Sequence, residues 1–405
     1  MVKSAEAGRR GTDVRSDCWI KITVNDSGGI QLQAQSKVQV MYGESIEKMV
    51  KDGLGFFNIK HATVKLEDNG ALPFVLMARL ECAVRRLNLD KGKEWLPQFR
   101  DCCKYPTTRE RFRRSRLYLP GNESKFMLNA GLHKPDGVIL DLEDSVAPAE
   151  KDAARLMVRN ALRQVDFYGA ERMVRINQIP NGLDDLIFIV PHNVHIILIP
   201  KCESADQVKQ VDEEIQKILK SNNISQPVFY MPIIESALGA IKAFEIATSV
   251  PNIVALTIGL EDYTADIGTQ RTLDGRESFW ARSQVVNAAR AAGVQPIDTV
   301  FSDVTDMEGL RQSVLEAKSL GFDGKGCIHP RQIQVINETF APADAEIEKA
   351  KKIVLVFEDA EKRGLGVVSL GSKMIDPPVV KRAVRTIKLA LETGKLEENW
   401  REGGE

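Results

Sequence analysis

The stretch GVILDLED, residues 137–144, decides how the rest of the chain is interpreted. Its apolar half predicts a buried strand, which ends in three carboxylates, Asp141, Glu143 and Asp144. Clustered acids at the end of a buried strand are unfavourable unless a cation or a basic ligand meets them. The tip therefore indicates a metal-assisted active site. The alternative is a solvated loop that begins a helix, because Asp144-Ser145 and Pro148 also suit a helix N-terminus.

Segments of the same kind follow this strand and precede it. From residue 114 onward, short apolar runs alternate with helical stretches, which is the pattern of βα units around a parallel sheet. Eight such runs predict an α/β fold, a (β/α)8 TIM barrel, with a doubly wound αβα sandwich as the alternative. The predicted strands are RLYLP (116–120), GVILDLED (137–144), MVRIN (173–177), HIILIPK (195–201), VFYMPIIES (228–236), IVALTIGLED (253–262), PIDTVFSD (296–303) and GKGCIHP (324–330).

Charged side chains stand near the carboxyl end of nearly every predicted strand. In a barrel these ends open onto one mouth, where barrel enzymes assemble their active sites. A barrel with a purely structural role would not need charges at that position. The side chains are Asp141, Glu143, Asp144, Arg175, Lys201, Glu235, Glu261, Asp262, Asp303 and His329.

Composition excludes several classes of partner. The 405 residues include 55 Lys and Arg against 56 Asp and Glu, which gives no electrostatic case for binding nucleic acid or an anionic membrane. The six cysteines show neither a C-x-x-C pair nor a zinc-ligand spacing, so reduced thiols are expected. The N-terminus carries no apolar leader, and no apolar run reaches membrane-spanning length. These features predict a soluble, cytoplasmic protein that acts on a small molecule or another protein.

The sequence divides into four parts. Residues 1–95 predict a small α+β domain, 96–113 a basic, proline-containing linker, 114–340 the barrel and 341–405 a C-terminal extension. The extension is expected to contain two helices, 343–363 and 379–392, separated by a glycine-rich loop.

Four elements are predicted in the N-terminal domain. Residues 18–35 alternate about Asp26-Ser-Gly-Gly29 and predict a β-hairpin, and 46–57 have helical spacing. Residues 61–68 alternate as a strand does, and 73–87 indicate a strand that runs into a helix.

The side chains predicted at the mouth are those expected of a metal-assisted lyase. Glu235 and Asp262 close adjacent strands, and two carboxylates with water and an oxygen-rich substrate suit Mg2+. Arg175 offers a planar fork for a substrate carboxylate, and Arg114 and Lys201 are further candidates for substrate binding. Such a set polarises a 2-oxo acid and stabilises an enolate. The set does not suit hydride transfer, and neither G-x-G-x-x-G after a strand nor a P-loop is present.

Eight ordered blocks of the chain carry a resemblance to a known family. Between about residues 113 and 391 the sequence resembles the citrate lyase beta subunits, within the HpcH/HpaI aldolase and malyl-CoA/citramalyl-CoA lyase group. The blocks are RRSRLYLPGN, VILDLEDSVAPAEKDAAR, MVRIN, PIIESALG, GLEDY, IDTVFSD, GFDGKGCIHPRQI and GSKMIDPPV.

This resemblance implies a Mg2+-dependent lyase and assigns roles to particular residues. Glu235 of PIIES and Asp262 of LEDY match the metal ligands, and Arg175 of VRIN matches the arginine that holds the oxo-acid carboxylate and the thioester oxygen. Asp376 of SKMIDPP matches a catalytic acid/base that a neighbouring subunit presents, which implies a homo-oligomer. Without the resemblance, MIDPP reads as a helix N-terminus. Asp141, Glu143 and Asp144 then become the acidic groups that orient Arg175 and metal-bound water.

The first hundred residues resemble a second family, the citrate lyase gamma subunits, which are acyl carrier proteins. That family attaches a CoA-like arm to the first serine of Gly-Thr-x-x-Ser-Ser-Asp. With Gly11, Thr12 and Asp17 in register, Arg15 occupies the first serine position and Ser16 the second. Either Ser16 carries the arm, displaced by one residue, or the domain has lost its arm and the enzyme uses free CoA thioesters. An ordinary loop hydroxyl at Ser16 is the third interpretation.

Together these features predict a fused carrier and lyase. The expected reaction is cleavage of a citryl thioester to an acetyl thioester and oxaloacetate, with a separate citrate lyase alpha subunit as the transferase partner. The alternatives are a malyl-CoA or citramalyl-CoA lyase and, more distantly, a non-catalytic assembly subunit.

Overall fold

The structure is a computed structural model that describes residues 3–362, 364, 367–370 and 373–401. The chain forms two compact units, Met1–Ile333 and Gln334–Glu405. The division falls inside a helix, close to the predicted end of the barrel at residue 340. In the part of the chain that is described, no helix is long and apolar enough to cross a membrane.

The first unit begins with a four-stranded sheet. Its strands are β1 (Ser4–Gly8), β2 (Cys18–Val24), β3 (Ile30–Ser36) and β4 (Ala62–Asp68), and two helices accompany them, α1 (Gln39–Phe56) and α2 (Pro73–Arg86). The strand order is β1-β2-β4-β3, with β2 antiparallel and β3 parallel to β4.

Two predictions for this domain are wrong. Residues 18–35 do not form a hairpin, because β4 inserts between β2 and β3 and pairs with both along their whole length. The run PFVLMARL is helical from Pro73 onward and contains no strand. A short apolar run fits a buried strand and a buried helix equally well, and here every residue from Phe74 to Val84 is buried. The helix and the strand predicted at 46–57 and 61–68 are confirmed.

The N-terminal domain is docked on the barrel through buried polar contacts. Arg159, in the barrel, donates two hydrogen bonds to the carboxylate of Glu81 on α2, and neither side chain has measurable exposure. The neighbouring Asn160 donates to the backbone oxygen of Phe74. Truncating one member of such a pair would leave a buried charge uncompensated, so these contacts fix the orientation of the two domains.

The segment predicted as a linker, 96–113, packs against the amino ends of the barrel strands. Arg113 is fully buried and forms an ion pair with Glu171 at 2.7 Å, and the hydroxyl of Tyr105 donates to the backbone oxygen of Ala170 at 2.6 Å. The segment therefore closes the end of the barrel opposite to the mouth.

Eight parallel strands form the closed barrel that the sequence predicts. Neighbouring strands follow chain order around the barrel, and the last strand pairs with the first. Side chains such as Ile139, Met173, Leu198 and Met231 fill the interior. The strands are β5 (Ser115–Pro120), β6 (Gly137–Asp141), β7 (Glu171–Arg175), β8 (Ile196–Ile199), β9 (Phe229–Ile234), β10 (Ala255–Ile258), β11 (Gln295–Asp298) and β12 (Gly324–Cys327).

Helices separate the barrel strands, as the alternating pattern predicts. A capping box at Ser204 and Gln207 begins the longest of them. The helices are α3 (Ser124–Met127), α4 (Lys151–Gln164), α5 (Asn181–Ile189), α6 (Ala205–Ser221), α7 (Ala237–Ile241), α8 (Ala243–Ala247), α9 (Leu260–Asp266), α10 (Phe279–Ala292), α11 (Met307–Leu320) and α12 (Arg331–Phe340).

The second unit contains two long helices and a small hairpin. The elements are α13 (Asp344–Lys362), β13 (Val368–Leu370), β14 (Lys373–Ile375) and α14 (Pro377–Glu392). Phe357, Ile375, Ile387 and Trp400 contribute to its apolar core. Both predicted helices are confirmed. Residues 365–366 and 371–372 of the predicted glycine-rich loop lie outside the described residues.

Candidate active site

A cavity of about 450 Å³ opens at the carboxyl ends of the barrel strands. Parallel strands bring these ends to one mouth, so residues far apart in sequence meet there. The structure brings together most of the side chains predicted for the site. Asp141, Asp144, Arg175, Glu235 and Asp262 all line the cavity.

Arg175 ends β7 and is fixed by the acidic tip of β6. Its Nε and Nη2 donate to the two carboxylate oxygens of Asp141, each at 2.7 Å, and its Nη1 lies 3.0 Å from Glu143. The guanidinium carbon is 5.3 Å from the ring centroid of Tyr118. Burial alone would lower the pKa of Arg175, but the hydrogen bonds and charge of Asp141 outweigh it and raise the pKa. Arg175 is a permanently charged, rigidly held group at the mouth.

Asp141 is itself immobilised within the tip. Its carboxylate accepts hydrogen bonds from the backbone N–H groups of Glu143 and Ser145 and from the Ser145 hydroxyl. Burial alone would raise the pKa of Asp141, but the Arg175 guanidinium holds that pKa below its usual range. Asp144 is half exposed and lies 3.5 Å from Arg175. All three acids of the tip therefore lie within ion-pair distance of Arg175.

Glu235 directly follows β9 and is only 6% exposed. Its Oε2 accepts a hydrogen bond of 2.8 Å from the backbone N–H of Lys201. Among the described residues no side-chain cation forms an ion pair with it, and burial raises its pKa to about 7. A Cβ atom on Gly259 would collide with the Glu235 carboxylate, so the absence of a side chain at that position makes room for the carboxylate.

Asp262 lies in the first turn of α9, beside Glu235. Its charge contributes to the raised pKa of Glu235, so the two carboxylates act on each other. No three His, Cys, Asp or Glu side chains within the described residues converge as a metal cage. A pair of carboxylates still fits Mg2+, which uses one or two of them together with water and substrate oxygens. The buried Glu235 carboxylate, which has no ion pair among the described residues, and the neighbouring Asp262 together fit a cation at this position.

Lys201 follows β8 and lies among the acidic groups. Its Nζ is 3.2 Å from Glu143, 3.5 Å from Asp144 and 3.6 Å from Asp262. Burial alone would lower the pKa of Lys201, but these carboxylates raise it. Lys201 therefore helps to neutralise the acidic rim beside the cavity, and the structure brings it to the predicted mouth.

Arg114 is not at the mouth, which corrects the expectation that it contacts substrate. It precedes β5, at the amino end of the barrel, where its Nε and Nη2 donate to the carboxylate of Asp136 at 2.8 Å. The arginine that does line the cavity is Arg116, two residues later. Sequence reasoning missed Arg116 and Tyr118. The available signal was their alternation, because residues two apart on a strand share one face.

Two regions of the chain match the sequence models of known protein families. Residues 114–330, more than half of the chain, match the HpcH/HpaI aldolase/citrate lyase model. The chain belongs to the HpcH/HpaI aldolase/citrate lyase family. Residues 6–87 match a second model, an acyl carrier family described as malonate decarboxylase delta subunit. The resemblance of the N-terminal domain to acyl carrier proteins is thereby confirmed.

Individual relatives of this HpcH/HpaI family member agree with the match. The chain is 40% identical over 286 residues to citrate lyase subunit beta of Leuconostoc mesenteroides subsp. cremoris, covering 69% of this chain and 94% of that protein. It is 33% identical over 293 residues to mitochondrial citramalyl-CoA lyase of Mus musculus, covering 69% and 86%. The solved structure of CitE from Mycobacterium tuberculosis with magnesium, acetoacetate and coenzyme A matches with a TM-score of 0.57 at 29% identity, covering 70% and 99%. The predictions of the family, the barrel and a lyase are confirmed.

In this HpcH/HpaI family member the carrier-like motif loop lies against the loop that follows β5. Asp17 is buried and bonded through both carboxylate oxygens to Arg79 of α2, at 3.0 and 2.7 Å. Arg79 also donates to the backbone oxygen of Asn122, and the hydroxyl of Ser124 donates to the backbone oxygen of Ser16. Ser16 is half-buried and has a left-handed φ of 55°. The motif loop is therefore fixed near the mouth of the barrel.

Asp376 lies in the second unit, at the N-terminus of α14. Its carboxylate accepts a hydrogen bond of 3.2 Å from the backbone N–H of Val379, and Pro377 occupies the first helical position. The helix-start interpretation of MIDPP is thus correct as local structure. The catalytic role that the family resemblance implies for Asp376 stays a prediction.

Proposed function

We propose that the protein is a Mg2+-dependent carbon–carbon lyase that cleaves a citryl thioester to an acetyl thioester and oxaloacetate. The observation that carries this proposal is the pairing of a rigid cation with a buried carboxylate in one cavity. Arg175, fixed by Asp141, and Glu235, in the space left by Gly259, line the same cavity. The family membership and the citrate lyase beta relative support it.

Glu235 and Asp262 would hold Mg2+, and the magnesium in the CitE structure supports this assignment. When bound, the metal polarises the hydroxyl and carboxylate oxygens that become the 2-oxo acid. The protein contributes a nearly dry carboxylate at Glu235 and an acidic rim that Lys201 partly neutralises.

Arg175 would bind the thioester oxygen, where negative charge develops as the bond breaks. Its fork offers donors in a fixed plane, and Asp141 prevents the side chain from rotating away. A donor that is already in position costs no reorganisation during the reaction, which is why such groups lower barriers by several kcal/mol. Asp141, at the end of β6, holds the Arg175 guanidinium in place.

Asp376 would move the proton. As a base it removes the hydroxyl proton, the bond between the carbinol carbon and the methylene carbon breaks, and the electron pair passes to the thioester enolate. The acid then returns the proton to the methylene carbon, which yields the acetyl thioester. We also propose that a neighbouring subunit of a homo-oligomer presents Asp376 to the mouth of the barrel, as the family resemblance implies.

The thioester is carried either on an arm at Ser16 or by free CoA. The contact between Ser16 and Ser124 favours delivery toward the mouth, whereas Arg15 at the family's modified position favours free CoA. Expression with the arm-attaching enzymes and intact-mass measurement decide between them. An adduct that disappears in Ser16→Ala supports the arm. Its absence from the unsubstituted protein removes the carrier role, and a separate alpha subunit would then not be needed.

A citramalyl-CoA lyase is the second candidate, favoured by the mouse relative that carries this name. Release of 2-oxo acid from citryl-CoA, citramalyl-CoA and malyl-CoA in the presence of Mg2+ distinguishes the substrates. The proposal expects the highest kcat/KM with citryl-CoA. Turnover of none of the three would contradict the lyase proposal and favour a non-catalytic assembly subunit.

A further inference from the structure

Arg116 is a buried cation deep in the cavity. It lies on β5 two residues before Tyr118, roughly 7 Å further from the mouth at the usual rise of a strand. Arg116, Tyr118 and Arg175 all line the cavity, and the guanidinium carbon of Arg175 lies 5.3 Å from the centroid of the Tyr118 ring. The cavity thus has one arginine at its mouth and another at its floor.

The partners of Arg116 within the barrel are all neutral. Its Nη1 lies 2.9 Å from the sulfur of Met231, and its Nη2 reaches the Thr257 hydroxyl at 3.4 Å and the backbone oxygen of Asp298 at 3.5 Å. Its Nε has no hydrogen-bond partner, although the residue is only 1% exposed.

The nearest acidic side chain is already occupied. Asp298 forms ion pairs with Lys325 at 2.7 Å and with Arg282 at 3.1 Å. Among the described residues no carboxylate forms an ion pair with Arg116. Burial lowers its pKa to about 10, which leaves the guanidinium charged at neutral pH. A buried charge of this kind is unfavourable until an anion reaches it.

We propose that Arg116 binds a second substrate carboxylate at the floor of the cavity and so selects a citryl over a citramalyl thioester. This inference rests on the proposed lyase function. The carbinol carbon of a citryl thioester carries a carboxylate, a hydroxyl and a carboxymethyl arm in addition to the thioester arm. Arg175 and the carboxylates at the mouth account for the groups that react. The carboxymethyl arm then points inward, toward Arg116.

The alternative substrates would leave Arg116 without an anion. A citramalyl thioester has a methyl group and a malyl thioester a hydrogen where the carboxymethyl arm would be. A site built around a charged group rejects an analogue that lacks the partner, because its own polar group is then left unpaired. The floor of the cavity therefore determines specificity, whereas the mouth determines the chemistry.

Substitution of Arg116 tests the inference. Arg116→Met keeps the length of the side chain, removes the charge and places a thioether beside Met231. We expect the ratio of kcat/KM for citryl-CoA to that for citramalyl-CoA to fall by about 100-fold or more. Arg116→Lys keeps the charge without the fork and should retain part of the preference. An unchanged ratio in both variants overturns the inference.

A control and a binding measurement separate this result from the proposed function. Arg172 is also buried, its side chain donates to backbone oxygens, and it lies near the start of β7, outside the lining of the cavity. Arg172→Met should leave the ratio unchanged. Calorimetry in the presence of Mg2+ should show that Arg116→Met lowers the affinity for oxaloacetate far more than the affinity for pyruvate. If the unsubstituted protein cleaves no thioester, the lyase proposal fails and calorimetry alone decides the role of Arg116. A natural preference for citramalyl-CoA overturns the inference and leaves the lyase proposal intact.

Discussion

The guanidinium of Arg175 and the carboxylate of Asp141 form two parallel hydrogen bonds of 2.7 Å at the mouth of the barrel. The Asp141 side chain is 2% exposed and that of Arg175 is 11% exposed, so solvent hardly screens the pair. The backbone and hydroxyl of Ser145 hold the carboxylate from the other side. Asp141 therefore fixes the position of the Arg175 guanidinium at the mouth.

Asp141→Asn should reduce activity by releasing Arg175. The amide keeps the shape of the carboxylate but accepts through one oxygen only, so the guanidinium loses half of its support. Loss of a group that orients a ligand-binding residue usually lowers activity by about 10- to 100-fold, and we expect a fall of this size in kcat/KM. Steady-state kinetics with the best thioester substrate provide the measurement.

Asp136→Asn is the matched control. Asp136 binds Arg114 in the same two-bond geometry, at the amino end of the barrel and outside the cavity. This variant should lose some stability and retain its kcat/KM. Equal losses of activity in both variants would contradict the positioning role of Asp141.

The barrel could be predicted from the sequence because the strands are short apolar runs, nearly all with charged residues near the carboxyl end. The N-terminal sheet could not, because the alternation of 18–35 indicates strands without indicating their partners. A strand 26 residues further along the chain, β4 after β3, supplies the edge that both require. Pairing of this kind depends on tertiary contacts, which local patterning does not contain.

The residues of the candidate site could also be predicted only in part from local sequence patterning. Glu235, Asp262 and Arg175 could be predicted because each follows or ends an apolar strand, where a charge is conspicuous. The predicted strand RLYLP contains Arg116 and not Arg114, but the sequence does not show which face of this strand is turned toward the cavity. The strand begins at Ser115, so Arg114 stays at the amino end and Arg116 enters the interior.

Binding of Mg2+ should depend on pH through Glu235. Its pKa is raised to about 7, so the folded protein holds a proton that the unfolded chain releases near pH 4.5. Without metal, this term favours folding at low pH and is lost between about pH 4.5 and 7, a change of about 3 kcal/mol. Metal needs the deprotonated ligand, so affinity should rise about tenfold per pH unit below 7 and level off above it.

Glu235→Gln isolates this titration. The free energy of unfolding of the variant, measured with urea in the absence of metal, should lack the decline between pH 4.5 and 7. Its Mg2+ affinity, measured by calorimetry, should be much weaker and independent of pH in this range. A variant that keeps the pH dependence of the unsubstituted protein would assign the titration to another group.

Gly259→Ala should displace the Glu235 carboxylate. The added Cβ would collide with Oε1, while the backbone φ of −110° is one that alanine adopts without strain. We expect Mg2+ affinity to fall by about 10- to 100-fold, as for other disturbances next to a metal ligand. Gly55→Ala is the control, because a Cβ at that position of α1 has no neighbour within 4 Å. Unchanged affinity in Gly259→Ala would exclude Glu235 as a ligand.

Asp17→Ala should destabilise the docked carrier-like domain. It leaves the fully buried guanidinium of Arg79 without its principal counter-ion, which typically costs about 3–5 kcal/mol. The urea midpoint should fall accordingly. Asp206→Ala removes an exposed carboxylate paired with Lys209 and should change the midpoint little. Equal shifts of the urea midpoint in the two variants would contradict a stabilising role for the buried pair of Asp17 and Arg79.

Asp376→Asn should separate the catalytic from the capping role of this residue. Asparagine caps helices as well as aspartate does, so the thermal midpoint should stay unchanged, while loss of the acid/base should lower kcat by about 100- to 10,000-fold. If a neighbouring subunit presents Asp376, mixed oligomers of Asp376→Asn and Glu235→Gln contain some sites with both native residues. Unfolding and refolding the two inactive variants together should then restore part of the activity, whereas refolding each alone should not. Full activity of Asp376→Asn would remove it from the mechanism, and inactive mixtures would place both residues in one chain.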